Sequence, residues 1–291
     1  MEKMEETTLT RHAYLIIAHN QPHLLQLLVS LLDDERNDIF ILLDAKSRDE
    51  RLRNITVKRS RLTYVPSIAI WWGEVSQIES ELVLFDSAFR QGPYRYYHLL
   101  SGQDLPLKSQ DEIHHFFDSQ QGAVFMEAGA KDEWIGKRLR KHYFHNYKHE
   151  QRRTWWQEVQ RFLQRQLLSL QKRLLPEPRI DWLPQLAMGS NWVSLPQEAV
   201  AYVLERRQQI ERSFKHSFCC DEVFLQSVLW NSPFFPAITN NNLRYIDWNR
   251  GKPYTFQYED LAELEQSGKL FARKFSEADE RLMQYFEQKV Y

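Results

Sequence analysis

"AYLIIAHNQPHLLQLLVSLLDDERNDIFILLDAK" runs from Ala13 to Lys46, and its reading decides the fold. Two almost unbroken apolar runs, 13–19 and 38–46, flank a stretch, 21–33, in which leucines recur at helical spacing. Such runs predict strands covered on both faces, and Pro22 suits the first turn of the helix between them. Strand, helix and strand in this order predict a parallel crossover unit.

The same alternation continues outward. "LTYVP" (62–66) predicts a third strand, "VSQIESELVLFDSAFR" (75–90) a helix, "RYYHLLSG" (95–102) a strand, "SQDEIHHFFDSQ" (109–120) a short helix and "GAVFME" (122–127) a strand. This is the pattern of an α/β fold with a mixed, mostly parallel sheet flanked by helices. Ligands then sit at the carboxyl ends of strands, so the chemistry is expected just after Ala18, Leu43, Leu100 and Phe125.

Residues 128–182 have another texture, highly charged and helical in pattern until Pro176 and Pro178 stop it. They read as a helical insertion within one domain spanning 1–291. The sheet is expected to resume at "LAMGSNWVSLP" (186–196), followed by a helix at 197–208, a helix opening at Asp221 and a strand at "NLRYIDW" (242–248). Residues 260–288 read as a helix, a short "LFARKF" connection and a last helix.

A chain of 291 residues with 43% hydrophobic content can bury a large core. Its net charge of −1 argues against a nucleic-acid partner held by bulk charge. The start, "MEKMEETTLTRHAYLIIAHNQP", has no basic stretch followed by an apolar one, and no apolar run nears the roughly 18 residues of a spanning helix. Neither export nor membrane insertion is expected. Cys219 and Cys220 are adjacent, which disfavours a disulfide between them, so a reducing compartment such as the cytoplasm is the expected home.

No glycine-rich nucleotide loop and no nucleophile elbow is present. His142, His145 and His149 fall on one helical face and could hold zinc if a carboxylate closed the site, but among so many lysines and arginines a solvated surface is the simpler reading. "LLDAKS" places Asp44 at a strand mouth, with Lys46 where a cation-binding Asp-x-Asp pair would have its second acid. "FARKF" sets Arg273 and Lys274 between Phe271 and Phe275, which suits either a salt-bridged turn or fixed cations that neutralise a departing diphosphate. Asp221 and Glu222 in "CDEVF" suit either a helix start or an acid–base role.

Taken in order, "AYLIIAHNQP", "LLDAKS", "WWGEVS", "YYHLLSGQDLPLKS", "MGSNWVSL", "CDEVFLQSVLWNSPF", "NLRYIDW" and "LFARKF" resemble one glycosyltransferase family, the core-2/I-branching β-1,6-N-acetylglucosaminyltransferases and the peptide O-xylosyltransferases. The resemblance runs from about residue 13 to 275. It implies a GT-A type fold, a nucleotide-diphosphate sugar donor, inversion at the anomeric carbon and catalysis without a metal.

Residue by residue, the resemblance implies Glu222 as general base and Arg273 with Lys274 on the donor's diphosphate. Asp44 would contact the uridine and His19 the start of the nucleotide, with Trp72, Ser101, Gly102 and Asp104 near the donor. Trp192, Asp247 and Trp248 would lie on the acceptor side. Arg250 and Lys252 fall where some relatives place a second phosphate-binding cation, in a local sequence that departs from theirs. With Asp221 as N-cap, Glu222 would sit in the first helical turn, where the helix dipole favours an ionised base.

The expected donor is a UDP-sugar, with N-acetylglucosamine first and xylose or another hexose the alternative, and no cofactor or divalent metal is expected beside that co-substrate. The acceptor would be a surface polysaccharide or lipid-linked glycan. Lacking the many cysteines and the N-terminal anchor of the animal Golgi enzymes, the sequence resembles a compact bacterial-type member. A catalytically silent sugar-nucleotide or glycan-binding protein is the non-enzyme alternative, against which the retained acid and cation pair speak. Residues 151–175 add an expected peripheral membrane contact at the inner face of a membrane, because Trp155, Val159, Phe162, Leu163, Leu167, Leu170 and Leu174 share a helical face complemented by Arg153, Arg161, Arg165 and Lys172.

Overall fold

The computed structural model describes residues 10–120, 122–130, 135, 139, 155–174, 180–251 and 253–290. The first half runs β1 (His12–Ala18), α1 (Pro22–Leu32), β2 (Asn37–Leu43), β3 (Arg61–Tyr64), α2 (Val75–Phe89), β4 (Tyr96–Ser101), β5 (Asp104–Pro106) and α3 (Gln110–Asp118). It continues with β6 (Gly129–Ala130), α4 (Trp155–Leu174), β7 (Ala187–Met188), β8 (Ser194–Pro196), α5 (Gln197–Glu205), α6 (Arg207–Phe214), α7 (Phe224–Trp230), β9 (Arg244–Ile246), α8 (Leu261–Gln266), β10 (Phe271–Arg273) and α9 (Glu280–Glu287).

The main sheet has the order β3-β2-β1-β4-β8, parallel except for β8. Its central strands lack polar alternation because both faces are covered. Ala13 and Leu15 of β1, Phe40 and Leu42 of β2, and Tyr97 and Leu99 of β4 pack in one core with α2, α5, α6 and α7. The intervening Tyr14, Ile16, Ile39, Ile41, Tyr96 and Leu100 face a second core built with α1, α3 and α9. The crossovers through α1 and α2 thus lie on opposite faces, which makes the gap between the carboxyl ends of β1 and β4 a topological switch point, the place where such folds bind ligands.

Local chemistry fixes the helix ends. Gln21 precedes Pro22 in the left-handed region, at φ 58°, and the N–H groups of His23 and Leu24 donate to the Glu277 carboxylate at 3.0 and 3.4 Å. The otherwise unpaired start of α1 is thereby capped from the far end of the chain. Ser109 and Glu112 form a reciprocal capping box on α3.

The mixed, mostly parallel sheet flanked by helices agrees with the sequence reading, and three local expectations need correction. Residues 122–127 form no strand, only single bridges from Val124 to Ile238 and from Phe125 to Ser194. "LFARKF" is not a connection. Its residues 271–273 are β10, the middle strand of a second sheet, β5-β10-β9. The helix predicted at 197–208 is two helices that meet at Arg206.

Arg244, on β9, joins the sheets. It is buried, with its guanidinium donating to Ser194 Oγ at 2.8 Å, Leu99 O at 3.0 Å and Val193 O at 2.7 Å, 5.0 Å from the Phe271 ring centroid. Burial lowers its pKa to about 9, with Asp104 as the first opposing charge.

Candidate functional site

The antiparallel register of β5 and β10 sets Asp104 opposite Arg273. Directly opposed side chains share a face, and Asp104 Oδ1 lies 3.6 Å from Arg273 Nε. Asp104 is fully buried and also accepts from Ser101 N at 3.0 Å and Ser101 Oγ at 2.6 Å. The turn "SGQD" is therefore a device that anchors a carboxylate beneath a guanidinium. On the other side, the Arg273 guanidinium carbon stands 4.2 Å from the centroid of the Trp192 ring, within cation–π range.

The 3.6 Å separation exceeds a hydrogen bond, and the buried Arg273 Nε has no hydrogen-bond partner. Its neighbour Lys274 is half-buried and joined to it by a cis peptide. Burial lowers the pKa of both cations, partly offset at Arg273 by Asp104 and reinforced at Lys274 by Arg273. No carboxylate pairs with the Lys274 ammonium among the described residues. Two adjacent cations with donor capacity to spare are suited to a multiply charged anion.

His19 follows β1 and Asp44 follows β2, with Asp44 N–H donating to Ala18 O at 2.9 Å. Loss of hydration lowers the His19 pKa, Asp44 opposes the shift, and Lys274 and Lys46 add to it. His19 and these three charged groups therefore belong to one field. The Asp44 carboxylate accepts from Lys46 Nζ at 2.6 Å, and Lys46 also donates to Ile70 O and lies 4.6 Å from the Trp71 ring centroid. The acid at this strand mouth is thus held by a cation of the chain itself. Gly102 lies where β4 passes the end of β1, and a Cβ there would come within 2.9 Å of the Ala18 Cβ.

The turn bearing Glu222 is tied to two other loops. Cys219, at φ 49°, donates its N–H to Gly73 O at 2.9 Å, and Gln77 of α2 accepts from Gly73 N–H while its Nε2 donates to Asp221 at 3.0 Å. Asp221 is therefore no N-cap. Its carboxylate is taken by Gln77, α7 begins only at Phe224 after an N-cap at Val223, and Glu222 lies in the preceding turn. Cys219 and Cys220 are buried thiols not joined in a disulfide.

The Glu222 carbonyl accepts from Gly189 N–H at 3.0 Å. Gly189 is obligatory, since a Cβ would fall 1.8 Å from Glu127 O. Three residues on is Trp192, so one loop connects the Glu222 turn to the Arg273 guanidinium. Trp192, expected on the acceptor side, stands against the Arg273 guanidinium. The sequence reading missed Glu81 of α2, buried with an amide of Asn191 3.4 Å from its Oε1, whose pKa is raised well above its usual range first by burial and then by Asp221.

Trp72 is exposed and edge-on to Phe218 at 5.8 Å. Trp248 is also exposed. Asp247 follows β9, whose parallel register pairs Ile246 with Arg273. Its carboxylate accepts from Asn249 N at 2.6 Å and binds Arg250, which also pairs with Asp260 at 2.7 Å and Glu263 at 2.8 Å. Arg250 is therefore matched by three acids, unlike Lys274. Lys252 and the histidines 142, 145 and 149 lie outside the described residues, as do Arg153 and the side chains of Arg161, Lys172 and Leu174. Among the described residues no group of three His, Cys, Asp or Glu could hold a metal ion, and no helix is long and apolar enough to cross a membrane.

The profile of the Core-2/I-Branching enzyme family matches residues 12–269, and the chain belongs to that family. Among curated proteins it is 24% identical to xylosyltransferase oxt of Drosophila melanogaster over 277 residues, 83% of this chain and 28% of the relative. It is 22% identical to xylosyltransferase 2 of Rattus norvegicus over 301 residues, 92% of this chain and 32% of the relative. To xylosyltransferase 1 of Homo sapiens it is 22% identical over 294 residues, 91% of this chain and 29% of the relative. The chain thus spans about a third or less of the length of these relatives. The solved structure of mouse xyloside xylosyltransferase 1 in its apo form overlaps 90% of this chain and 96% of its own, at 13% identity and a TM-score of 0.38.

Proposed function

We infer that this member of the core-2/I-branching family is an inverting glycosyltransferase of the GT-A kind that moves a sugar from a UDP-sugar to a glycan hydroxyl. The observation that carries the reading is the pair Arg273 and Lys274 beside the switch point, one stacked on Trp192 with no hydrogen bond made by its Nε and the other without a carboxylate partner among the described residues. Xylose ranks ahead of N-acetylglucosamine as the transferred sugar, because the curated relatives compared above are xylosyltransferases.

In the proposed reaction the acceptor oxygen attacks the anomeric carbon and its proton passes to the Glu222 carboxylate. The bond from that carbon to the diphosphate oxygen breaks, and its electron pair leaves with UDP. Arg273 and Lys274 meet the charge that grows on the diphosphate, so their contribution is larger in the transition state than in the bound donor. Asp104 and Trp192 hold Arg273 in place and act as positioning residues.

Lys46 supports a mechanism without a divalent ion, since its ammonium takes the Asp44 carboxylate that would otherwise be free for one. Membrane-proximal cytoplasm is the proposed place of action, with a surface polysaccharide or lipid-linked glycan as acceptor. The test is release of UDP from UDP-xylose and UDP-N-acetylglucosamine by the purified chain, with and without glycan acceptors. Turnover of either supports transfer, and a ratio favouring xylose supports the sugar assignment. Binding of UDP without turnover of any donor would make the chain a silent sugar-nucleotide binder.

A further inference from the structure

Helix α2 carries more polar chemistry on its covered side than packing requires, and three of these side chains reach the loops of the candidate site. Ser76 Oγ accepts from Trp71 N–H at 2.9 Å, Gln77 accepts from Gly73 N–H and donates to Asp221, and Glu81 meets the Asn191 amide at 3.4 Å. Gln77 and Glu81 are four residues apart, so their side chains lie on one face of the helix.

The contact at Glu81 is the one that stability does not explain. The side chain is 1% exposed, and its Oε2 has no hydrogen-bond partner among the described residues. A leucine or methionine would fill the same space without the loss of hydration that a buried carboxyl suffers. Burial first and Asp221 second favour the protonated carboxyl. In that form it donates as well as accepts, as an amide does.

Its partner Asn191 stands in the loop that the two halves of the site share. Two residues earlier, Gly189 N–H donates to Glu222 O at 3.0 Å, and the next residue, Trp192, lies against the Arg273 guanidinium. Gln226 of α7, also buried, donates to Ser190 O at 2.6 Å. Helix α2 itself packs on β1 and β2 of the main sheet. One supported helix therefore holds the base turn through Gln77 and the cation-side loop through Glu81.

We propose that Glu81 is a positioning residue for glycosyl transfer, fixing loop 189–192 against α2 so that the Glu222 turn and the Arg273 guanidinium keep one spacing. The role rests on the transfer reading above. An in-line displacement needs the base and the leaving-group cations on opposite sides of the anomeric carbon, and a misplacement of about 1 Å can cost about a hundredfold in rate. Glu81 acts through Asn191, as a neutral acid.

The experiment compares Glu81→Leu, Asn191→Ala and Glu81→Gln with the wild-type chain in two readouts. Hydrogen–deuterium exchange without any donor reads the loop itself. The Gly189 N–H should exchange about tenfold faster in Glu81→Leu and Asn191→Ala and at the wild-type rate in Glu81→Gln, with β1 and β4 unchanged in all three. Single-turnover release of UDP from the sugar donor should fall about tenfold or more in the first two variants, beyond any loss of UDP affinity, and stay near wild type in Glu81→Gln, whose amide replaces the neutral acid. Unchanged exchange at Gly189 in Glu81→Leu and Asn191→Ala, losses of rate no larger than those of UDP affinity, or a Glu81→Gln variant as impaired as Glu81→Leu overturns the proposal. Should Glu81→Leu fail to fold, Asn191→Ala, which changes a half-buried side chain, decides in the same two readouts. If the wild type itself releases UDP from no donor, the transfer reading fails, and the exchange rates at Gly189 still uphold or overturn Glu81 as the residue that fixes the loop.

Discussion

Replacing Lys274 by Ala separates an anion-binding role from a structural one, because the two predict opposite balances of affinity and stability. The ammonium is half-buried, has no carboxylate partner among the described residues and feels Arg273 beside it as a like charge. Its removal breaks no ion pair among the described residues, so the ligand-free thermal midpoint should hold or rise slightly, within about 0.5 kcal/mol. A charge-assisted contact to phosphate contributes roughly 1.5–3 kcal/mol, so UDP should bind about ten- to a hundredfold more weakly. Calorimetric titration with UDP reads the loss, and uridine, which has no phosphates, should bind the variant and the wild type alike. Single-turnover rates at saturating donor should also fall, since charge grows on the diphosphate as its bond breaks. Equal losses for UDP and uridine, or a lower midpoint with unchanged UDP affinity, would refute the reasoning.

Asp104→Asn should lower stability by about 3–5 kcal/mol in urea unfolding, because it leaves the largely buried Arg273 without its counter-charge. Gly189→Ala should cost about 1–3 kcal/mol and reduce transfer, as the Glu127 carbonyl and the Glu222 turn bonded to Gly189 are pushed apart; wild-type stability would contradict this. Buried His12, His98 and His114 predict acid lability. Burial is the first cause that lowers each, with His114 the next at His12, His12 the next at His98 and Arg36 the next at His114, which falls to about 4. The unfolded imidazoles take protons near pH 6.5 and the folded ones do not, so stability is full above that pH and declines as pH falls toward 4. His114 alone accounts for roughly 3 kcal/mol, and a denaturation midpoint flat over that window would count against the assignment.

The strands of the main sheet were legible because β1, β2 and β4 are covered on both faces, and continuous apolar runs mean little else at that length. Asp44 was read at the mouth of one of those strands, whereas His19 and Ser101 were singled out by the family resemblance. β10 was not legible. A three-residue strand carrying Arg273 reads as a polar connection, and its partner Asp104 lies far away in sequence, so only the β5–β10 register brings the pair together. The bracket of Phe271 and Phe275, both buried, was the available sign of a strand. Asp221 looked like an N-cap because acids before a helix usually are, and nothing in "CDEVF" reveals that Gln77 takes its carboxylate. Arg244 and Glu81 were hidden for a related reason, since charged residues predict surface unless a fold supplies partners for them.

The central claim, that Glu222 acts as base while protein cations and no metal hold the leaving diphosphate, is tested most directly by single-turnover release of UDP from the sugar donor in excess EDTA, comparing wild type with Glu222→Gln. Undiminished wild-type release in the chelator, with a loss on the order of a hundredfold or more in the variant at unchanged UDP affinity, is the predicted result. Release abolished by EDTA and restored by Mg²⁺ or Mn²⁺, or near wild-type release by Glu222→Gln, would contradict it.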